Sequence, residues 1–379
     1  MLKATNRNLA QLAPSGIRRI SALAAARPGC ISLALGEPDF TTPDAICDEV
    51  ARALARGETH YPPNNGTTEL RRAIAAYMTG QGIERAAEDI IVTVGATEAL
   101  SSTFRALIDP GDEVIVPVPA FTVYASDVRA CGGTVVELDT TRSAFQITPD
   151  DLAACVSAAT KAIVICSPNN PTGCVLDTPS LDAVAQLAAE QGVYVVCDDV
   201  YNRLVYEGAY ERFAARHPEL ADRTVVIDSF SKPWAMTGWR VGWLAATPPV
   251  VDEIAKAHQF AVSSVPAFIM PAAARALEVD PAPMVAAFRA RRERVVHALA
   301  DMGLGCNVPT GAFYAFPSIA QTGLDDEAFC ERAIREAGVA LVPGGCFGVP
   351  GHVRLSYCVA DDALDEGLSR LAGFVDTLI

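Results

Sequence analysis

From about Asp44 to Ala246 the chain alternates short apolar runs with segments whose apolar residues recur every three to four positions. Six runs read as strands: Ile90–Val94, Glu113–Val116, Ala162–Cys166, Val193–Cys197, Val225–Ile227 and Val241–Ala245. Several are apolar throughout rather than alternating, which suits strands covered on both faces. Thr42-Pro43-Asp44 reads as a helix start, with a capping hydroxyl, a first-turn proline and an acid. Ile46, Val50, Ala53 and Leu54 then share one face. Ala96–Leu107 and Leu181–Glu190 are further helices that follow strands directly. Such alternation predicts a three-layer α/β domain, a mostly parallel sheet with helices on both sides.

Towards the C-terminus the pattern changes. A basic helix, Phe288 to His297, precedes strands at Phe313–Phe316, Ala340–Val342 and Val353–Ser356 and a last helix over Asp361–Val375. This is the pattern of a smaller α+β domain. The expected division is an N-terminal segment 1–43 that joins the small domain, a large domain 44–275 and a C-terminal domain 276–379.

Composition narrows the partners. Lys plus Arg number 30 against 45 Asp plus Glu, a net charge of −15. A surface this acidic repels DNA and anionic lipid, so neither a nucleic acid nor a membrane is an expected partner. The arginines of the basic helix, interleaved with Val295 and Leu299, therefore read as its solvated face. No run of about 18 apolar residues offers a membrane span, and Met1 to Ser15 lacks a signal-peptide pattern. The 11 cysteines are scattered, with no Cys-x-x-Cys pair and no zinc spacing. They read as free thiols in a reducing cytoplasm, with no metal site.

In an open parallel sheet, ligands bind beyond the carboxyl ends of the strands. Ile90–Val94 is followed by Gly95-Ala96-Thr97-Glu98, a glycine turn feeding a helix whose free amides suit a phosphate. Val225–Ile227 is followed by Asp228-Ser229-Phe230-Ser231-Lys232 and, eight residues after the lysine, by Arg240. Trp234, Trp239 and Trp243 surround them, so Lys232 reads as a desolvated amine and Arg240 as a phosphate fork. Val193–Cys197 leads to Asp198-Asp199-Val200-Tyr201, where a carboxylate either caps a helix or anchors a protonated ring nitrogen. Ala162–Cys166 leads to Ser167-Pro168-Asn169-Asn170-Pro171-Thr172-Gly173, every residue a turn former. A phosphate cradle, a reactive lysine, a carboxylate for a pyridinium nitrogen and polar groups for a phenolic oxygen are together the requirements of pyridoxal 5'-phosphate. A nicotinamide dehydrogenase is disfavoured, because no strand opens on Gly-x-Gly-x-x-Gly.

Five motifs carry a wider resemblance. They are Gly36-Glu37-Pro38-Asp39-Phe40, Tyr61 with Gly66-x-x-Glu69-Leu70-Arg71, Asn170-Pro171-Thr172-Gly173, Ser229-x-Ser231-Lys232, and Val353-Arg354-Leu355-Ser356-Tyr357. Collinear from about Ser15 to the end, they resemble the class I/II aminotransferases, pyridoxal-phosphate enzymes of fold type I. The resemblance implies that Lys232 bonds to the cofactor and shuttles the substrate Cα proton, and that Asp198 keeps the ring nitrogen protonated. Asn170 and Tyr201 would hydrogen-bond the ring's phenolate oxygen, and Phe121 would stack on the ring. Ser229, Ser231, Arg240 and the Gly95, Ala96 and Thr97 turn would hold the phosphate. Arg354, helped by Asn170 and the Gly36 backbone, would grip the substrate α-carboxylate. Tyr61 matches a tyrosine that reaches the neighbouring subunit's phosphate, which implies a homodimer with shared sites.

The implied activity moves the amino group of an L-amino acid (aromatic, aspartate or a broad range) to a 2-oxo acid, with 2-oxoglutarate the expected acceptor. Thr97 stands where some aspartate-specific members carry a lysine for the distal carboxylate. Pro119-Ala120-Phe121 and Pro14-Ser15-Gly16-Ile17-Arg18 look like members acting on aromatic or varied amino acids. Arg18 reads as an exposed helix residue or as a second cation at the entrance. A carbon–sulfur β-lyase would share most of these residues. A non-catalytic binding module is a further alternative, although about 15 residues ahead of the resemblance are too few for a helix-turn-helix domain. The five histidines, His60, His217, His258, His297 and His352, form no triad or metal spacing and receive no role.

Overall fold

A computed structural model describes residues 2–208 and 210–379. Its strands are β1 (Ile31–Ser32), β2 (Ile90–Thr93), β3 (Glu113–Val118), β4 (Thr134–Asp139), β5 (Thr160–Cys166), β6 (Tyr194–Asp198), β7 (Thr224–Ser229), β8 (Gly242–Ala245), β9 (Tyr314–Ala315), β10 (Val339–Ala340), β11 (Val342–Pro343) and β12 (Val353–Ser356). Seven form one sheet in the order β2-β8-β7-β6-β5-β3-β4. Only β8 opposes its neighbours; the remaining pairs are parallel.

The apolar strands separate two cores, because successive side chains point to opposite faces. Ile163, Ile165, Val195 and Cys197 pack with Leu181, Val184 and Leu187 of helix Thr178–Gln191. Val164, Cys166 and Val196 share the opposite core with Leu100 and Phe104 of helix Gly95–Leu107. The result is the expected three-layer α/β architecture. A second, antiparallel sheet orders β11-β12-β9, and β1 pairs in parallel with β10 through Ile31↔Val339. The N-terminal segment thus packs with C-terminal elements. Among the described residues no helix is long and apolar enough to cross a membrane, and all cysteines are free.

Four readings change. The edge strand β4 escaped the apolar-run criterion because most of its residues are partly or fully exposed. The run Ala340–Val342 divides at Leu341, one half pairing with β1 and the other with β12. Thr42 does not cap the helix Asp44–Ala55. Its hydroxyl donates to the Ala235 carbonyl (2.8 Å) and accepts from the Trp239 indole (3.0 Å). In the basic helix, Ala282–Asp301, Arg289 is exposed as expected, but two of the arginines are not on a solvated face. Arg291 and Arg292 are buried, the first paired with Asp39 (2.6 Å) and Asp361 (2.9 Å), the second with Glu207 (2.5 Å). Hydrophobic periodicity counts arginine as polar and so misses a buried ion pair.

Candidate active site

The carboxyl ends of β2, β5, β6 and β7 open onto a cavity of about 350 Å³. Gly36, Ala96, Thr97, Phe121, Asn170, Tyr201, Ser229, Ser231, Lys232, Arg240 and Arg354 line it, with Tyr314. Of the residues expected at the site, Asp198 and Gly95 lie directly behind this lining. Tyr61 does not join it: the side chain stands at the surface, 92% exposed, beside a separate cavity shared with His60 and Pro62.

One end of the cavity suits an anion. Gly95 adopts φ +75°, and a Cβ there would lie 2.6 Å from an Arg240 terminal nitrogen, so the turn accepts only glycine. Gly242 is held as tightly, since its Cβ would approach the Ala96 amide nitrogen to 3.0 Å. Arg240, itself at φ +54°, donates from Nη1 to the Thr237 carbonyl (2.9 Å). The Ser229 hydroxyl donates to that of Ser231 (2.8 Å) and accepts the Ser231 amide (3.0 Å). Hydroxyls, a guanidinium and the first amides of a helix are together the groups that suit a phosphate.

Lys232 is partly buried, and its Nζ donates to the Gly36 carbonyl (2.6 Å). Desolvation brings its pKa down to about 8, with the positive charges of Arg354 and Arg240 acting in the same direction. A free amine is therefore accessible near neutral pH. The tryptophans do not supply this environment. Trp234 and Trp243 pack with Phe230 in another core, while the Phe313 ring lies 5.8 Å from Nζ.

Asp198 ends β6 and is buried. Its Oδ2 accepts a 2.6 Å hydrogen bond from Tyr124, while Oδ1 is buried without a partner. Burial pushes its pKa up to about 6, against the Tyr124 hydrogen bond. An unpaired carboxylate oxygen of this kind fits a cationic ring N–H, which would satisfy both its charge and its lone pair. The neighbouring Asp199 turns away. It pairs with Arg212 (2.8 Å), which also approaches Asp228 (3.5 Å), in a buried ion cluster behind the cavity.

At the other end Arg354 is 2% exposed. Nη1 donates to Asn170 Oδ1 (2.9 Å) and Nη2 to the Ala34 carbonyl (2.5 Å), while Nε is buried and unpaired. The Tyr314 and Phe347 rings lie 4.6 and 4.9 Å from its Cζ. A fork held this firmly is prepared for a carboxylate. Tyr314 also shares a 2.9 Å hydrogen bond with the Tyr201 hydroxyl. Tyr124 and Tyr314 are the functional side chains that sequence reasoning missed. The signal for Tyr124 was its place one turn after Phe121, on the helix that the same strand end launches. Tyr314 carried none. Arg18 is exposed and lines the cavity mouth with Ile17.

Residues 28–371 match the family Aminotransferase class I and II. The aspartate aminotransferase of Pyrococcus abyssi is 39% identical over 368 residues, 94% of this chain and 95% of its own length. The aromatic-amino-acid aminotransferase 2 of Thermococcus litoralis is 38% identical over 94% of this chain and 95% of its own. The solved aspartate aminotransferase of Thermus thermophilus with maleate aligns at TM-score 0.93 and 36% identity, covering 98% of this chain and all (100%) of that one. The chain belongs to the class I and II aminotransferases and is a pyridoxal-phosphate-dependent enzyme of fold type I.

Proposed function

We propose that the cavity takes the amino group from a broad range of L-amino acids, dicarboxylic and aromatic, and delivers it to 2-oxoglutarate. The observation that carries this reading is the grouping of three elements. The Lys232 amine and the Arg354 fork share one cavity, and the unpaired Asp198 oxygen lies behind it. The breadth of donors is supported by the mouth, where apolar Ile17 and Leu35 lie beside the Arg18 cation. Relatives named for aspartate and for aromatic amino acids point the same way.

Each residue has a physical task. Ser229, Ser231, Arg240 and the amides of the Gly95-Ala96-Thr97 turn would hold the phosphate of pyridoxal 5'-phosphate, and Phe121 would stack on its ring. The unpaired Asp198 oxygen would keep the ring nitrogen protonated, and Asn170 and Tyr201 would donate to the phenolate oxygen. The bound cofactor supplies an electron sink for the pair left when the substrate Cα–H bond breaks. Arg354, assisted by Asn170 and the Gly36 backbone, grips the α-carboxylate and so orients that bond. Lys232, with its lowered pKa, would take the proton from Cα and deliver it to C4′ of the bound cofactor, at little positioning cost. Tyr61, exposed in the single protomer, serves the phosphate of a second copy in a homodimer with shared sites. The same reading assigns residues 44–275 to the cofactor domain, and 1–43 with 276–379 to the smaller one. It places the enzyme in the cytoplasm, in keeping with its free cysteines.

A single-turnover screen tests the proposal. The holoenzyme is mixed with each common amino acid, and conversion of the cofactor to its pyridoxamine form is followed by absorbance. Conversion by aspartate, glutamate and aromatic amino acids is expected. Pyruvate release from cysteine or cystathionine without conversion would instead identify a β-lyase.

A further inference from the structure

His258 lies on the helix Val250–Val262 with its side chain fully buried. Its Nδ1 is 3.2 Å from both Glu98 carboxylate oxygens, and its Nε2 is 3.0 Å from the Asn64 carbonyl oxygen. The Asn64 carbonyl has no proton to give, and both Glu98 oxygens already accept, from the Val94 amide and the Ser102 hydroxyl, as an ionised carboxylate does, so both ring nitrogens face acceptors. A neutral imidazole has one N–H and one bare lone pair, so either tautomer would aim a lone pair at an oxygen. Only the imidazolium, with two N–H groups, satisfies both contacts.

What the ring connects gives it a role. Glu98 sits in the first turn of helix Gly95–Leu107, where its Oε2 accepts the Val94 amide (3.1 Å) and its Oε1 accepts the Ser102 hydroxyl (2.5 Å). Val94 is the residue just ahead of the phosphate turn. Asn64 follows Tyr61 by three residues, and next to it the Asn65 carbonyl accepts the Val92 amide of β2 (3.1 Å). A single buried ring thus bridges the turn that serves this subunit's phosphate and the loop that offers Tyr61 outward.

We propose that His258 is a buried imidazolium which, paired with Glu98, positions both phosphate-holding parts of the enzyme, the turn at Gly95 and the Tyr61 loop. The proposal rests on the reading of those two parts as phosphate-binding. Among the described residues Glu98 is the charged group that acts on His258. The Asn64 segment contributes a carbonyl, and Glu253 and Lys256 on the same helix pair with each other at the surface. Burial works to lower the His258 pKa, but the hydrogen bond and charge of Glu98 outweigh it and the pKa is raised. Burial likewise works to raise Glu98, but its hydrogen bonds to His258 and Ser102 hold it below its usual range. The bridge is therefore lost at high pH, as pH rises through the raised His258 pKa, and at low pH, as it falls through the lowered Glu98 pKa.

The test uses holoenzyme labelled with 15N-histidine, with His258→Gln to assign the resonance. Both His258 nitrogens are expected to carry protons at neutral pH. Release of cofactor on dilution should be roughly tenfold faster in His258→Gln, the loss expected for a hydrogen bond to a charged group. Wild-type release should quicken as pH rises through the His258 titration, and the variant should lack that step. Glu98→Gln, which keeps the side-chain shape, should neutralise His258 at neutral pH and speed release alike; it serves if His258→Gln does not fold. A singly protonated His258 in the holoenzyme, or a His258→Gln release profile that overlays wild type, overturns the proposal. Borohydride fixation separates the two layers of argument. If the cofactor is fixed on Lys232 while the variants behave as wild type, only the His258 assignment fails. Fixation on another lysine removes the phosphate-site reading beneath it.

Discussion

Replacing Tyr124 by Phe removes one oxygen atom and tests the logic of the Asp198 site directly. Tyr124 is the side-chain donor to a carboxylate whose other oxygen has no partner, and both side chains are buried. A hydrogen bond to a charged group contributes about 1.5–3 kcal/mol net. At about 1.4 kcal/mol per pH unit, its loss makes ionising Asp198 harder by about one to two pH units. The sign follows from burial. Asp198 is already raised to about 6, so its charged form disappears as pH falls through that value. Without Tyr124 the charged form disappears at higher pH. A ring nitrogen opposite Asp198 then loses its counter-charge, and the enzyme loses activity with it. The assay is kcat/KM for the best amino-acid donor across about pH 5 to 9, which reports the essential groups of the free enzyme. The acidic limb of Tyr124→Phe should move up by about one to two pH units, with the two enzymes converging at the alkaline end. The ring nitrogen lowers Asp198 in both proteins alike, so the displacement between profiles is the readout. Superposed acidic limbs would show that Asp198 does not depend on Tyr124, and the electrostatic account of this site would be wrong.

Gly95→Ala places a methyl group 2.6 Å from an Arg240 nitrogen at φ +75°. The left-handed backbone alone costs roughly 1–2 kcal/mol, so cofactor affinity measured by titration should fall about tenfold or more; an unchanged affinity would take the turn out of the phosphate site. Arg354→Lys keeps the charge but loses the fork. It should raise KM for the amino acid by a factor on the order of 100 while cofactor retention stays the same, the loss expected when one partner of a buried charge pair is truncated. Equal kcat/KM for variant and wild type would place the α-carboxylate elsewhere. Tyr61→Phe changes an exposed side chain and should leave thermal stability of the protomer within about 0.5 kcal/mol of wild type. Cofactor retention should weaken in the dimer; a fully active monomer would disprove shared sites.

What could be read from the chain was what is local along it. Lys232, Asp198, Asn170 and the Gly95 turn each lie at a strand end or within a few residues of one, so one rule about strand ends brought them to one cavity or the wall behind it. The missed features are pairings between distant segments. Tyr124 reaches Asp198 across 74 positions, Tyr314 reaches Tyr201 across 113, and His258 reaches Glu98 across 160. A tyrosine at helical spacing reads as core and a lone histidine reads as nothing. Neither periodicity nor composition says which polar atom will be buried opposite which other. Arg291 and Arg292 of helix Ala282–Asp301 are misread for the same reason, since a buried and a solvated arginine have one signature in sequence.

Net charge misleads in a related way. The chain carries a formal −15, yet Lys232, Arg240 and Arg354 converge on one cavity, with the positive end of helix Gly95–Leu107 between them. Long-range repulsion from the acidic surface is screened within about 8–10 Å at physiological salt. Inside the cavity, at distances shorter than that, a few fixed cations and amides outweigh the remote acidic surface. Anionic substrates therefore meet a local field opposite in sign to the global one. The lowered pKa of Lys232 comes first from loss of water, and Arg354 and Arg240 push the same way while Cys358 and Glu37 oppose them. Burial in the cavity thus does most to make the lysine a usable base, and the cations that would draw in a carboxylate and a phosphate add to it.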